Sequence, residues 1–201
     1  MKTQTIVILA LFACVALSMP AVAQEEGEMP PMTPEQQAEM MAWMELAQPG
    51  PHHEHLAPFV GTWQGMVQMW MDPDAPEMTE ESTAEVAWIL GGRFLEWKTT
   101  GHFGGMPYEA RTIEGYNNGE KRYEAVSVDN FGTLILFSEG TCSEGGKTRV
   151  MSTEFADVVA GSTIGYRGEY KWIDEDHFTY TGYMDKGDGE FKNVIITYER
   201  Q

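Results

Sequence analysis

Three histidines and a glutamate stand together at His52–His53–Glu54–His55, the densest run of metal-ligating side chains in the 201-residue chain. If Pro51 opens a helical turn, His52 and His55 lie three apart on one face; in an extended chain His53 and His55 share a side. Imidazoles so placed suit Zn2+ or Cu2+, with Glu54 as a third donor. A tetrahedral site needs one more convergent ligand, and His102 and His177 are the only other histidines. A polar, solvated turn accounts for the same residues. Met29, Met32, Met40, Met41 and Met44 stand just upstream. Thioethers are the soft donors that Cu(I) prefers, although methionine also fills the apolar face of a helix. Metal or haem handling is therefore one expectation, with His177 or a cluster histidine as the haem ligand.

Carboxylates and aromatics offer other chemistry. Glu96 and Glu109 are a candidate acid and base pair for a hydrolase or isomerase, with a separation that the sequence does not fix. Arg93, Glu96, Glu109, Arg111 and Asp129 all fall inside strand-like segments. Inward, such residues fix the polar end of a ligand; outward, they are simply solvated. Trp88, Trp97, Phe103, Tyr108, Tyr166, Tyr170, Trp172 and Tyr180 are enough aromatic surface to line a cavity, or to fill one. The expected ligand-binding set is Trp88, Arg93, Glu96, Trp97, Phe103 and Tyr108. There is no Gly-x-Ser-x-Gly elbow, no phosphate-cradling glycine loop before a helix and no Cys–His pair. The chain reads as a binding protein more than as an enzyme, and no particular cofactor is indicated.

Lys2 and the apolar run Ile6–Leu17, followed by Ala21–Val22–Ala23, form the pattern of an export signal over residues 1–23, with Gln24 as the first mature residue. Ile6–Leu17 is too short to span a bilayer. Cys14 follows Leu11–Phe12–Ala13, a poor lipoprotein-type box, so lipid anchoring is a minor alternative. The expected location is periplasmic or extracellular. The formal charge is −18, which repels phosphate backbones and anionic lipid surfaces and argues against nucleic-acid partners. Past the export signal only Cys142 remains, so packing rather than a disulfide must hold the fold. No second segment is long and apolar enough to span a membrane.

Residues 24–50 form an acidic linker rich in Met and Pro. Thr33–Pro34–Glu35–Gln36 has the residues of a helix start, with Thr as cap and Gln three later. The segment Glu35–Gln48 places Met40, Trp43, Met44 and Ala47 at helical spacing, which predicts a short amphipathic helix stopped by Pro49–Gly50–Pro51.

From Phe59 onward the pattern has period two, punctuated by Gly, Asn and Asp about every ten residues. Strands are expected at about 59–71, 82–90, 93–101, 107–116, 121–129, 133–140, 147–155 and 163–173. Two more follow around Phe178–Met184 and Val194–Arg200. Trp63, Gly65, Val67, Met69 and Met71 share one face, as do Ile164, Tyr166, Gly168, Tyr170 and Trp172. About ten antiparallel strands with almost no helix predict an all-β fold over residues 51–201: an up-and-down barrel that closes on itself, or alternatively a two-sheet sandwich.

Gly61-x-Trp63 opening the first strand, with Arg200 near the end of the last, resembles the calycin (lipocalin and fatty-acid-binding) arrangement. That resemblance implies a Trp plugging the closed end of a barrel with an Arg stacked across it, so Gly61, Trp63 and Arg200 are expected as a structural plug. Longer blocks carry a second resemblance: Pro51–His53, Val60–Gly61–Thr62–Trp63, Trp88–Ile89–Leu90–Gly91–Gly92–Arg93–Phe94–Leu95–Glu96, Gly105–Met106–Pro107–Tyr108–Glu109 and Ser138–Glu139–Gly140–Thr141. They run in order over about residues 50–200 and resemble the bacterial family of unknown function DUF1579. The resemblance implies a calycin-like barrel and brings no established chemistry. The preferred expectation is an exported barrel that holds a small, partly apolar ligand in its interior.

Overall fold

The computed structural model of the chain describes residues 32–201. The expected export signal, Cys14 and Met29 lie outside the described residues. The chain divides into two units between Met41 and Ala42. Across that division runs α1 (Pro34–Leu46). Thr33 and Gln36 cap it reciprocally: the Gln36 N–H donates to Thr33 Oγ1 (3.3 Å) and the Thr33 N–H to Gln36 Oε1 (2.9 Å). The expected amphipathic face is absent. None of the helix's residues is buried, and Met40, Met41, Trp43 and Met44 are all exposed, while Met41 and Leu46 place apolar surface on other sides of the helix as well.

Within Ala42–Gln201, a short helix α2 (Pro51–Glu54) and a 3-10 turn (Ala57–Phe59) lead into ten strands. These are β1 (Gly61–Met69), β2 (Met78–Ile89), β3 (Phe94–Phe103), β4 (Met106–Asn117), β5 (Arg122–Asp129), β6 (Leu136–Cys142), β7 (Thr148–Asp157), β8 (Ser162–Trp172), β9 (His177–Asp185) and β10 (Glu190–Arg200). Each pairs antiparallel with its sequence neighbour, and β1 pairs with both β2 and β10, so Trp63 lies opposite Ala84 on one side and Arg200 on the other. This up-and-down barrel closes by joining its first and last strands, leaves no free edge strand and replaces the sandwich alternative.

The period-two pattern becomes an inner and an outer wall. Trp63, Val67 and Met69 on β1, Leu95 and Trp97 on β3 and Ile164 on β8 are buried inside. Met71 belongs to the loop after β1 and is exposed. Leu56 and Phe59 close one end from below, and Trp63, Leu95 and Phe178 meet them there fully buried. Phe178 lies edge-on to Trp63 (4.8 Å) and to Phe59 (5.1 Å) and stacks on Tyr198 (4.6 Å). Edge-to-face and offset contacts of this kind each add about 0.5–1.5 kcal/mol beyond burial.

Position 61 must be glycine for two reasons. Its φ of +142° lies where side chains are strained, and a Cβ there would stand 2.7 Å from Arg200 Nη1. The chain can therefore turn from the closing segment straight into β1 beneath the arginine.

Candidate functional site

Above the packed end the barrel is hollow. A cavity of about 550 Å3 opens toward the turns after β1, β3 and β5 and is walled by inward residues of nine strands, all but β7. Trp97, Tyr170 and Tyr198 form its floor, Val67, Met69, Val194 and Ile196 an apolar side, and Phe103, Tyr108 and Phe131 its mouth. Phe131 lies 5.1 Å from Phe103 and 5.8 Å from Tyr108, so the mouth is an aromatic cluster.

Two glycines shape the wall. Gly168 on β8 and Gly182 on β9 face each other in the ladder. A Cβ at Gly168 would meet the Tyr180 ring at 2.6 Å, and one at Gly182 would strike the Tyr166 hydroxyl. With no side chains at these positions, both tyrosines lie across the wall, and Tyr180 donates its O–H to Tyr166 at 3.1 Å. Burial raises the phenols of Tyr166, Tyr170, Tyr180 and Tyr198 above their ordinary value, and burial with the nearby Asp129 charge pushes Tyr108 up to about 12. All five therefore stay neutral hydroxyls at ordinary pH.

Two buried polar atoms on this wall have no hydrogen-bond partner: Ser82 Oγ on β2 and Asn193 Oδ1 on β10. Asn193 occupies the irregular step of the β9–β10 ladder between Lys192 and Val194. A bulge re-aims a side chain in this way. Buried polar atoms left unpaired are costly, of order 1–3 kcal/mol each.

Beneath the floor lies a buried ion pair that sequence reading missed. Arg149 and Glu114 are only 2% and 3% exposed. Arg149 Nη2 stands 3.0 Å from Glu114 Oε2, and Trp97 Nε1 donates to Glu114 Oε1 at 2.9 Å. No guanidinium nitrogen aims an N–H at an acceptor; the cation is held instead by the adjacent carboxylate and by the faces of Phe59 and Tyr170, 4.7 and 4.5 Å away. The signal was phase. Arg149 alternates with Met151 and Phe155, and Glu114 with Tyr108, Ala110, Thr112 and Tyr116, on the inner faces of their strands.

Of the six residues expected to bind ligand, Trp97, Phe103 and Tyr108 line the cavity. The other three do not. Trp88 packs against the closed-end core. Arg93 lies in the turn after β2, where its Nε donates to the Ala47 carbonyl (2.9 Å) and its Nη1 to that of Leu90 (3.2 Å). Glu96 points outward, 3.4 Å from Lys98 Nζ, because the inward phase of β3 belongs to Leu95 and Trp97. Glu96 and Glu109 are no acid and base pair. Both lie on outer faces, and the ladder sets Glu96 opposite Ile113 and Glu109 opposite Thr100, so about 14 Å of strand separates them. Arg111 also faces out, with Nη1 on the Ala110 carbonyl, while Asp129 reaches the mouth.

The histidines do not converge on a metal, and no group of three metal-ligating side chains is found among the described residues. His52 stacks on Tyr116 (4.2 Å), His53 Nδ1 accepts the Gly50 N–H (3.0 Å) and His55 Nδ1 meets Tyr123 Oη (3.0 Å). Each ring is committed to holding the closing segment. His177 is bonded to Asp174 (2.7 Å) in the turn before β9, away from the cavity. At the closed end the Arg200 guanidinium lies 4.0 Å from the Trp63 ring centre and donates to the carbonyls of Val60 (2.9 Å) and Pro58 (2.8 Å), while Trp63 Nε1 donates to the Phe59 carbonyl (2.8 Å).

A family model described as "Protein of unknown function (DUF1579)" matches residues 48–200. No curated protein matches the chain. Among solved structures, the crystal structure of Rv2717c from M. tuberculosis is similar with a TM-score of 0.55 at 17% identity, over 77% of this chain and 99% of that one. EF1p2_mFAP2b bound to DFHBI is more distant, with a TM-score of 0.36 at 14% identity over 75% of this chain and 99% of that one. A redesigned β-barrel, mFAP1, bound to DFHBI gives 0.36 at 15% identity over 75% and 100%. At these identities the likeness to Rv2717c concerns the fold, and a fold does not carry a function with it.

Proposed function

We propose that this chain, which belongs to the DUF1579 family of unknown function, is an exported barrel that binds one small, uncharged, partly apolar molecule in its interior. The observation that carries this reading is the cavity itself. It is about 550 Å3 in volume, within the range of small-molecule sites, with aromatic and aliphatic walls and two unpartnered polar atoms, Ser82 Oγ and Asn193 Oδ1, inside it. An apolar ring or chain stacks on Trp97, Tyr170 and Tyr198, while a hydroxyl or amide on the molecule satisfies either Ser82, at the level of Gly65, or Asn193, at the level of Trp70. Because the interior phenols stay neutral and the chain carries −18, the site disfavours anions. Export rests on the pattern of residues 1–23, and sequencing the N-terminus of protein recovered from outside the cytoplasm tests it, with Gln24 expected first.

The binding test is native mass spectrometry of protein purified without unfolding, followed by titration with the neutral dye Nile red. A retained small molecule and saturable one-to-one dye binding are expected, with the dye lost in a Trp97→Ala variant that still folds. A bare protein with no saturable dye binding overturns the reading.

A further inference from the structure

The closed end carries a second recess, on the outside of the barrel. A groove of about 390 Å3 lies between residues 43–48 and the turns that join β2 to β3 and β4 to β5. It shares no lining residue with the interior cavity. Phe94 and Gly115 are paired in the β3–β4 ladder, and a Cβ at Gly115 would meet the Phe94 ring at 2.6 Å. The bare backbone therefore lets that ring lie across β4. Trp43, 67% exposed, belongs to the opposite wall. Asn118 Nδ2 donates to the carbonyls of Leu46 (2.7 Å) and Gln48 (2.8 Å), which lie at and just past the end of α1 and have no helical partner. Those bonds tie the two walls together.

Two donors border this groove with hydrogen-bonding capacity left over. Arg93 spends Nε on the Ala47 carbonyl and Nη1 on that of Leu90, and its Nη2 has no partner among the described residues. No carboxylate among them pairs with it, although the chain carries −18. His53 is the second donor, and its residue is only 6% exposed. Nδ1 accepts the Gly50 N–H, so in the neutral ring Nε2 carries the proton. Nε2 has no partner among the described residues, yet it is not sealed from water, so its N–H opens on the groove that the ring borders. Arg93 is near enough to push the His53 pKa down. The one carboxylate on the groove, Glu124, is already held by Arg122 Nε (2.8 Å) and Asn117 Nδ2 (3.2 Å).

An unpaired cation beside a neutral N–H donor, between aromatic walls, suits one negative charge on a flat apolar body. Two donors match the two oxygens of a carboxylate, whereas a dianionic phosphate would set a second charge against Glu124. We infer that the groove is a binding site separate from the cavity, and that it takes a small aromatic monocarboxylate. The carboxylate bridges Arg93 Nη2 and His53 Nε2, and the ring lies against Trp43 and Phe94. A cation in direct contact outweighs the diffuse charge of the chain, which salt screens beyond about 8 Å. The two sites thus select oppositely: the interior disfavours an anion, and the groove requires one.

NMR titration at pH 7 with phenylacetate, and with phenylacetamide as its neutral counterpart, tests the assignment. The acid is expected to bind at least about tenfold more tightly than the amide, the worth of a charge-assisted hydrogen bond. Arg93→Gln is expected to erase that preference, weakening the acid about tenfold and the amide by less than about twofold. Trp43→Ala changes an exposed position and is expected to weaken both alike, by about fivefold. It keeps the test open should the thermal midpoint show that Arg93→Gln folds poorly. Trp97→Ala, inside the cavity, is expected to leave phenylacetate binding unchanged. An acid that binds no better than the amide, equal loss of both in Arg93→Gln, or binding untouched by Trp43→Ala overturns the groove site. Loss of phenylacetate in Trp97→Ala assigns the acid to the cavity and overturns it as well.

Discussion

The two ends of this barrel put similar residues to opposite uses. At the closed end Phe59, Trp63 and Phe178 are driven together until no space remains, and the large cation among them is compensated by a carboxylate and two ring faces. In the open half, Tyr108, Tyr166, Tyr180 and Tyr198 stand around an empty volume, and Ser82 and Asn193 present polar atoms to it with no partner. Both halves leave buried polar atoms unpaired, Trp172 Nε1 and the Arg149 guanidinium at the closed end as well as Ser82 Oγ and Asn193 Oδ1, but only the latter two border an empty volume, so the first half is built for folding and the second for something that arrives later. The difference does not lie in composition, because both halves are aromatic. It lies in what each polar atom faces.

The sharpest way to break that comparison is to unbalance the closed end. Arg149→Met leaves Glu114 as an uncompensated buried charge and is expected to cost about 3–5 kcal/mol in urea unfolding. The double variant Glu114→Gln/Arg149→Met keeps an acceptor for Trp97 Nε1 and is expected to recover most of that loss. If the single variant is as stable as the parent, the pair is not the closed-end element described here.

That pair also marks where the sequence stopped being legible. The closed ten-strand fold could be read because period-two alternation and glycine punctuation are local, and so could the aromatic inner faces of β1 and β8. Arg149 and Glu114 are equally in phase, but a charged residue in a strand is assigned outward by default. Only the meeting of β4 and β7 across the barrel, three strands apart, makes an inward pair tolerable. Arg93 and Glu96 failed for a related reason: β3 has few apolar residues, so its phase was fixed by Leu95 and Trp97 packing rather than by contrast along the strand. The α1 cap could be read from Thr33 and Gln36, whereas burial of its Met and Trp residues depends on a neighbour that no spacing reveals.

A smaller effect is expected at the plug. The Arg200 guanidinium both covers Trp63 and donates to the Val60 and Pro58 carbonyls, a geometry that needs a planar fork. Arg200→Ala is expected to cost about 1–2 kcal/mol, and Arg200→Lys to restore less than half of it. Full rescue by lysine would mean that charge alone matters there. In the open half the sign reverses. Ser82→Ala removes a buried, unpartnered hydroxyl and is expected to leave the empty barrel unchanged or more stable by up to about 1 kcal/mol, while weakening a ligand that hydrogen-bonds there. If Ser82→Ala destabilises the empty protein, that hydroxyl belongs to the fold and the contrast between the halves fails at this position.

The smallest effect concerns acid, and it separates the ends by pH. His53 is buried in the closing segment with Nδ1 accepting the Gly50 N–H, so the ring there is neutral. Burial, helped by the nearby Arg93 cation, lowers its pKa below the ordinary value of 6.5. A group whose folded pKa is depressed stabilises the fold above its unfolded pKa, and that contribution is lost as pH falls through the folded value. The urea midpoint should therefore decline on acidification below about pH 6.5, before the carboxylates titrate. His177 works against this trend. Its bond to Asp174 raises its pKa, so its contribution is present below about pH 6.5 and fades as pH rises through the higher folded value. The informative quantity is thus the difference between the parent and His53→Gln, whose amide oxygen still accepts the Gly50 N–H but takes up no proton. A decline that persists undiminished in His53→Gln assigns acid sensitivity to other groups. A decline that disappears assigns it to the closed end, leaving the neutral phenols of the open half indifferent to pH until about pH 10, where the raised Tyr108 begins to oppose unfolding less as it approaches about 12.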